Sequence, residues 1–126
     1  MDKSTNALNW FEIPATDISR AKNFYQKIFD ISLEDNIMED SKMAFFPWEN
    51  GSGKATGALV QSSNHKPSMD GAVVYLNANP SMDKVLSKIE DAGGKILLPK
   101  TSIGEHGNIA FIRDTEGNKV GIHSIK

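Results

Sequence analysis

The chain is written twice. Trp10-Phe11-Glu12-Ile13-Pro14-Ala15-Thr16-Asp17 opens a short apolar stretch that runs into a helical pattern ending at Phe29. Val74-Tyr75-Leu76-Asn77-Ala78-Asn79-Pro80-Ser81 opens a second, followed by a helical pattern to Ala92. Later parts match too: Ala44-Phe45-Phe46 with Ala110-Phe111-Ile112, and Gly57-Ala58-Leu59-Val60 with Gly121-Ile122-His123-Ser124. A duplication constrains a fold more than local propensity does, because it fixes element order in both halves. Repeat one spans about 8–62, a connector about 63–71 and repeat two about 72–124.

Each half reads strand, helix, three strands. Residues 8–14 alternate, with Trp10, Glu12 and Pro14 on one face and Phe11 and Ile13 on the other. Asp17 suits the N-cap of a helix whose stripe is Ile18, Ala21, Phe24 or Tyr25, Ile28 and Phe29. Residues 31–48 hold two strands, the second being the aromatic-rich segment 43–48. Asn50-Gly51-Ser52-Gly53 turns, and 56–62 closes the half. In the second half, 72–76 is a strand and Asn79-Pro80 starts a helix, with the cap followed by proline. Its stripe is Met82, Val85, Leu86, Ile89 and Ala92, and Gly93-Gly94 ends it. Strands follow at 95–98, 108–113 and 118–124, with a loop at 99–107 and a hairpin turn at 114–117. One half has too little apolar surface to stand alone. Two halves predict an α+β domain over 1–126: two βαβββ repeats forming a curved mixed sheet around a central hollow, with helices on the outer face.

Composition narrows the function classes. A net charge of −2 gives no nucleic-acid footprint, which would show as a basic face. No cysteine is present, so disulfides, thiolate catalysis and sulfur-ligated zinc are excluded. No apolar run approaches the roughly 20 residues of a membrane helix, and the first residues lack the apolar core of a signal peptide. A cytoplasmic protein without membrane contact is the expectation.

Three stretches carry a family resemblance: Phe11-Glu12-Ile13-Pro14 with Asp17, Arg20-Ala21 and Phe24-Tyr25; Ile89 to Gly94; and Asp114-Thr115-Glu116-Gly117-Asn118. Together they resemble the vicinal-oxygen-chelate superfamily of glyoxalases, bleomycin-resistance proteins and extradiol dioxygenases. That resemblance implies a divalent metal in the hollow, held by residues of the first and last strands of each half. Carried over position by position, those sites fall on Trp10, Val74, Gly57 and Gly121, whose side chains cannot bind such a cation. A two-residue slip stays on the same face and substitutes Glu12 and His123, one ligand short of a usual catalytic set. The resemblance also implies a homodimer.

Glu12 and His123 are therefore the candidate catalytic pair. His123 reads either as a hydrogen-bonded histidine lining the hollow or as an acid–base group. Glu12 either pairs with a cation such as Arg113 or a partner chain, or serves as a base or ligand anchor. Trp10 and Phe46, sharing the concave face, with Trp48, Gly57 and Gly121, form the candidate lining for a small organic ligand; simple core packing is the competing account of the aromatics. Phe11, Ile13 and Tyr75 are expected under the helices. His106, in the glycine-flanked loop 104–107, is a lid candidate or merely solvated. His65 is expected to be an exposed connector residue. Residues 51–56 fail as a phosphate loop, because no helix follows. Three functions stay open: a metal-free binder of a small molecule; a lyase, isomerase or dioxygenase using Glu12 and His123 with a metal or alone; or a protein whose hollow is filled by its own side chains and whose role is interaction only.

Overall fold

The computed structural model describes residues 1–126. The element order is β1 (Trp10–Pro14), α1 (Ile18–Phe29), β2 (Glu34–Met38), β3 (Ser41–Phe45), β4 (Thr56–Ser62), β5 (Tyr75–Asn77), α2 (Met82–Leu86), β6 (Lys95–Ser102), a 3-10 turn (Gly104–His106), β7 (Asn108–Arg113) and β8 (Lys119–Ser124). These build two four-stranded mixed sheets, ordered β1-β4-β3-β2 and β5-β8-β7-β6. In each, the first strand runs parallel to the last, and the other pairs are antiparallel. The two βαβββ halves read from the duplication are thus present. They form two sheets that do not close on one another, in place of one continuous curved sheet.

Each helix covers one face of its sheet. Asp17 caps α1 by accepting the Arg20 N–H at 3.1 Å, and Ala21, Phe24, Tyr25 and Ile28 turn inward. Those four are spaced at one helical stripe and meet Ile13, Ala44 and Leu59 of the first sheet. The same core takes in Leu76, Ala110, Ile112, Val120 and Ile122 of the second sheet, with Met82 and Ile89. The helix-covered faces of both sheets therefore share a single core, and their bare faces point away from it.

The hairpin after β7 ties the halves together. Glu116 Oε1 accepts the backbone N–H groups of Thr16 and Asp17 at 2.9 and 2.8 Å, and its carboxylate receives a two-pronged contact from Arg20. A carboxylate at a helix N-terminus also meets the positive end of the helix dipole. Burial alone would raise the pKa of Glu116. The Arg20 guanidinium, the Asp17 amide and the Thr115 hydroxyl outweigh it and hold the group below its ordinary value. Asn118 donates to the Pro14 carbonyl at 2.7 Å from the same hairpin.

Several elements differ from the sequence expectation: the strand expected over 72–76 is confined to Tyr75–Asn77. The strand predicted over 43–48 stops at Phe45, before Pro47, which has no N–H for a ladder. Helix α2 proper ends at Leu86, and tighter turns carry the chain on to Ala92. Strand β6 continues to Ser102 past Pro99, with register shifts on either side of Leu98 that accommodate it.

Candidate functional site

Register decides which side chains share the bare face of the first sheet. Glu12 lies beside Ala58, which lies beside Phe45; Pro14 lies beside Val60, which lies beside Met43. Residues in register point to the same side. Met43, Ala58 and Val60 form a small apolar floor with Phe45 packed on it. Trp10 stands beside this floor against Phe45, the two rings nearly perpendicular with centroids 5.3 Å apart. Trp10 remains 40% exposed, so part of it is accessible to a ligand.

Both oxygens of Glu12 have partners at this surface. Oε2 accepts from the Trp10 indole N–H at 3.3 Å, and Oε1 meets Nε2 of His65 at 2.8 Å. Nδ1 of His65 in turn meets the Ser62 hydroxyl at 2.6 Å. A carboxylate only accepts, so the neutral imidazole carries its proton on Nε2, and Nδ1 accepts the Ser62 O–H. His65 is thus a member of the site and not merely a connector residue. Arg113, considered above as a partner for Glu12, lies on β7 of the other sheet.

The bare face of the second sheet differs. Tyr75, Gly121 and Phe111 are in register, as are Asn77, His123 and Ile109. Tyr75 is 46% exposed and its ring is 5.8 Å from that of Phe111, so it does not pack under the helices. Lys119 lies over Phe111 at 4.5 Å, and Arg113 and Lys95 share this side. His123 donates from Nε2 to the His106 carbonyl at 2.7 Å, which leaves Nδ1 as its acceptor. It is the backbone of His106 that meets the site, since the ring is largely exposed.

Several lining assignments change. Phe46 belongs to the core, 5.4 Å from Phe11 and 5.7 Å from Tyr25, because one residue along a strand reverses the face. Phe45 takes the place beside Trp10. Trp48 is 55% exposed beyond the end of β3, stacked on no other ring. Gly57 also faces the helix side, where an added Cβ would strike Phe11. Gly121 does lie on a bare face, under the Tyr75 ring.

The reason is a one-residue slip in the repeat. Ala15 donates to the Val60 carbonyl as Ala78 does to that of His123, and Ile13 pairs with Leu59 as Leu76 pairs with Ile122. Yet the helix caps are Asp17 and Ser81. The second half has one extra residue between strand and helix, at the cis Asn79–Pro80 step. Trp10 therefore corresponds to Val73, and Gly121 to Ala58. Ser81, whose hydroxyl accepts the Lys84 N–H at 3.2 Å, is the cap in place of Asn79.

The donor set does not fit a divalent cation within one chain. Nowhere do three His, Cys, Asp or Glu side chains converge. Glu12 is engaged by Trp10 and His65, and His123 stands on the bare face of the other sheet. No helix is long and apolar enough to cross a membrane.

Comparison with known proteins agrees with this architecture. The Staphylococcus aureus protein SA1046 superimposes with a TM-score of 0.66 at 21% identity, covering 94% of both chains. Glyoxalase I from Zea mays gives 0.65 at 18% identity, covering 93% of this chain and 45% of that one. These likenesses show the fold. In sequence, the chain is 30% identical over 115 residues to a glyoxylase-like domain-containing protein of Didymella fabae, covering 88% of each. It is 29% identical over 117 residues to CFP32 of Mycobacterium bovis, covering 90% of this chain but spanning only 44% of that protein. Residues 7–122 match the family as a whole, and the chain belongs to the Glyoxalase/Bleomycin resistance protein/Dioxygenase superfamily.

Proposed function

We propose that the bare face of the first sheet binds a flat, cationic or hydrogen-bond-donating organic molecule without a metal. The single observation that carries this reading is the part-exposed Trp10 indole standing between the Glu12 carboxylate and the Phe45 ring, beside an apolar floor. An aromatic wall attracts a planar cation, and a carboxylate beside it supplies the counter-charge. A second copy closes the hollow. In support, the first bare face carries Glu12 and Glu34, and the second carries Lys95, Arg113 and Lys119. Opposite charges favour seating one copy's first sheet against another's second.

Calorimetric titration with proflavine, a planar cation, tests the binding reading. Binding is expected in the wild type, with affinity falling roughly tenfold in Trp10→Ala and in Glu12→Gln, the scale of about 1.4 kcal/mol. Equal affinity in all three proteins contradicts it. Sedimentation tests the pairing, which fails if the chain stays monomeric.

One observation favours the enzyme reading. The His106 carbonyl orients His123 with Nδ1 as the acceptor, as a metal-ligating or proton-accepting imidazole is held. In a paired assembly Glu12 and His123 of different copies would face one hollow. A stoichiometric divalent ion in protein purified without chelator, lost in Glu12→Ala and His123→Ala, would establish that alternative.

A further inference from the structure

The Ser62–His65–Glu12 line is a complete hydroxyl, base and carboxylate relay. We propose that Ser62 is an activatable nucleophile that hydrolyses esters of small polar carboxylic acids. The proposal rests on the reading above only in that the bare face must admit a small molecule.

Geometry carries the argument. Glu12 comes from β1 and Ser62 from the end of β4, while His65 comes from the turn beyond it. The Glu12 carboxylate fixes the proton on Nε2 at 2.8 Å. Nδ1 is then left as a base facing the Ser62 hydroxyl at 2.6 Å. A hydroxyl is a weak nucleophile until an adjacent base removes its proton, and that base must be held in the right tautomer by a third group. All three roles are filled. The hydroxyl is also positioned by the Asn64 N–H, which donates to Oγ at 3.1 Å.

Ser62 and His65 open onto a cleft of about 590 Å³, bordered also by Thr16, Ser41, Lys42 and Gln61. Its lining is mostly polar, which suits a small polar acyl group and not a long apolar one.

The reaction balances with water as co-reactant. Oγ attacks the ester carbonyl as its proton passes to Nδ1, forming the new C–O bond. Collapse breaks the ester C–O bond, and the alcohol leaves with the proton from Nδ1. Water then attacks the acyl-Ser62 carbonyl and gives Nδ1 a proton. Oγ recovers that proton as the carboxylic acid departs.

Intact protein is incubated with a fluorophosphonate and digested for peptide mass analysis. One adduct on Ser62 is expected in the wild type, absent in Ser62→Ala and formed at least about a hundredfold more slowly in His65→Ala. Glu12 acts as a positioning residue, so Glu12→Gln should change the imidazole ¹⁵N shifts of His65 from the Nε2–H pattern towards a tautomer mixture. No adduct in the wild type, or labelling undiminished in His65→Ala, overturns the proposal. Labelling without proflavine binding would sink the binding reading and leave this one standing; proflavine binding without labelling does the reverse.

Discussion

Tyr25 and Asp114 share a hydrogen bond of 2.6 Å in the buried seam between the halves. The phenol comes from α1 of the first half and the carboxylate from the hairpin of the second. Asp114 also accepts the Glu116 and Asn118 amides at 2.9 Å and the Asn118 side chain at 3.0 Å. Burial first, and then the Asp114 charge, push the Tyr25 hydroxyl well above its ordinary pKa, so it stays a donor.

Tyr25→Phe removes that donor and leaves one carboxylate lone pair without a partner. Stability should fall by about 1–3 kcal/mol. Urea unfolding checks this, with a lower midpoint and an unchanged slope expected.

Glu116 gives stability a dependence on acid. Its folded pKa lies below its ordinary value of 4.5, so its contribution is full above that pH. The contribution is lost as pH falls through the lower folded value. Urea midpoints measured downwards from pH 5 should decline, and Glu116→Gln should flatten the decline while lowering the plateau. An identical acid slope in both proteins would remove Glu116 from the account.

Gly94 is required by packing and not by backbone conformation. An added Cβ would lie 2.7 Å from the Phe24 ring and 2.8 Å from the Arg113 carbonyl. Gly94→Ala should cost about 1–3 kcal/mol through overpacking. Gly51 has open space around it, but its φ of +78° strains any side chain there. Thermal melts of the two alanine variants, with Phe24 ring shifts moving only in Gly94→Ala, would separate the two causes.

Asp30 ends α1 at φ 53°, in the left-handed region, and its N–H donates to the Gln26 carbonyl. Asp30→Gly should stabilise the protein by roughly 0.5–1 kcal/mol, since glycine adopts that conformation without a Cβ clash. A lower melting temperature would count against the cap assignment.

Element order was legible because apolar spacing and punctuation are local. Asp17, Gly93-Gly94 and the 114–117 hairpin each act within a few residues, and the α1 stripe needs only its own period. Faces were less legible. Side chains alternate, so a single extra residue at Asn79–Pro80 put the two halves one place out of step when matched from their helix starts, and the matched positions then fell on opposite faces. That slip hid Tyr75 on the open face and misplaced Gly57; reading Phe46 in place of Phe45 was the same error within β3. The contact of His65 with Glu12 spans the connector and had no spacing to announce it. The only signal available was a histidine near Ser62, at the end of a strand paired with β1.

The indole N–H resonance of Trp10 in ¹⁵N-labelled protein tests the binding site most directly. On adding proflavine it should shift together with the amides of Glu12, Phe45 and Val60, while Val74 and Lys84 stay still. Val74 and Lys84 border a separate cavity of about 740 Å³ that Phe11 and Phe46 of the first half also line, so their movement with Trp10 unchanged would place the ligand there and contradict the account.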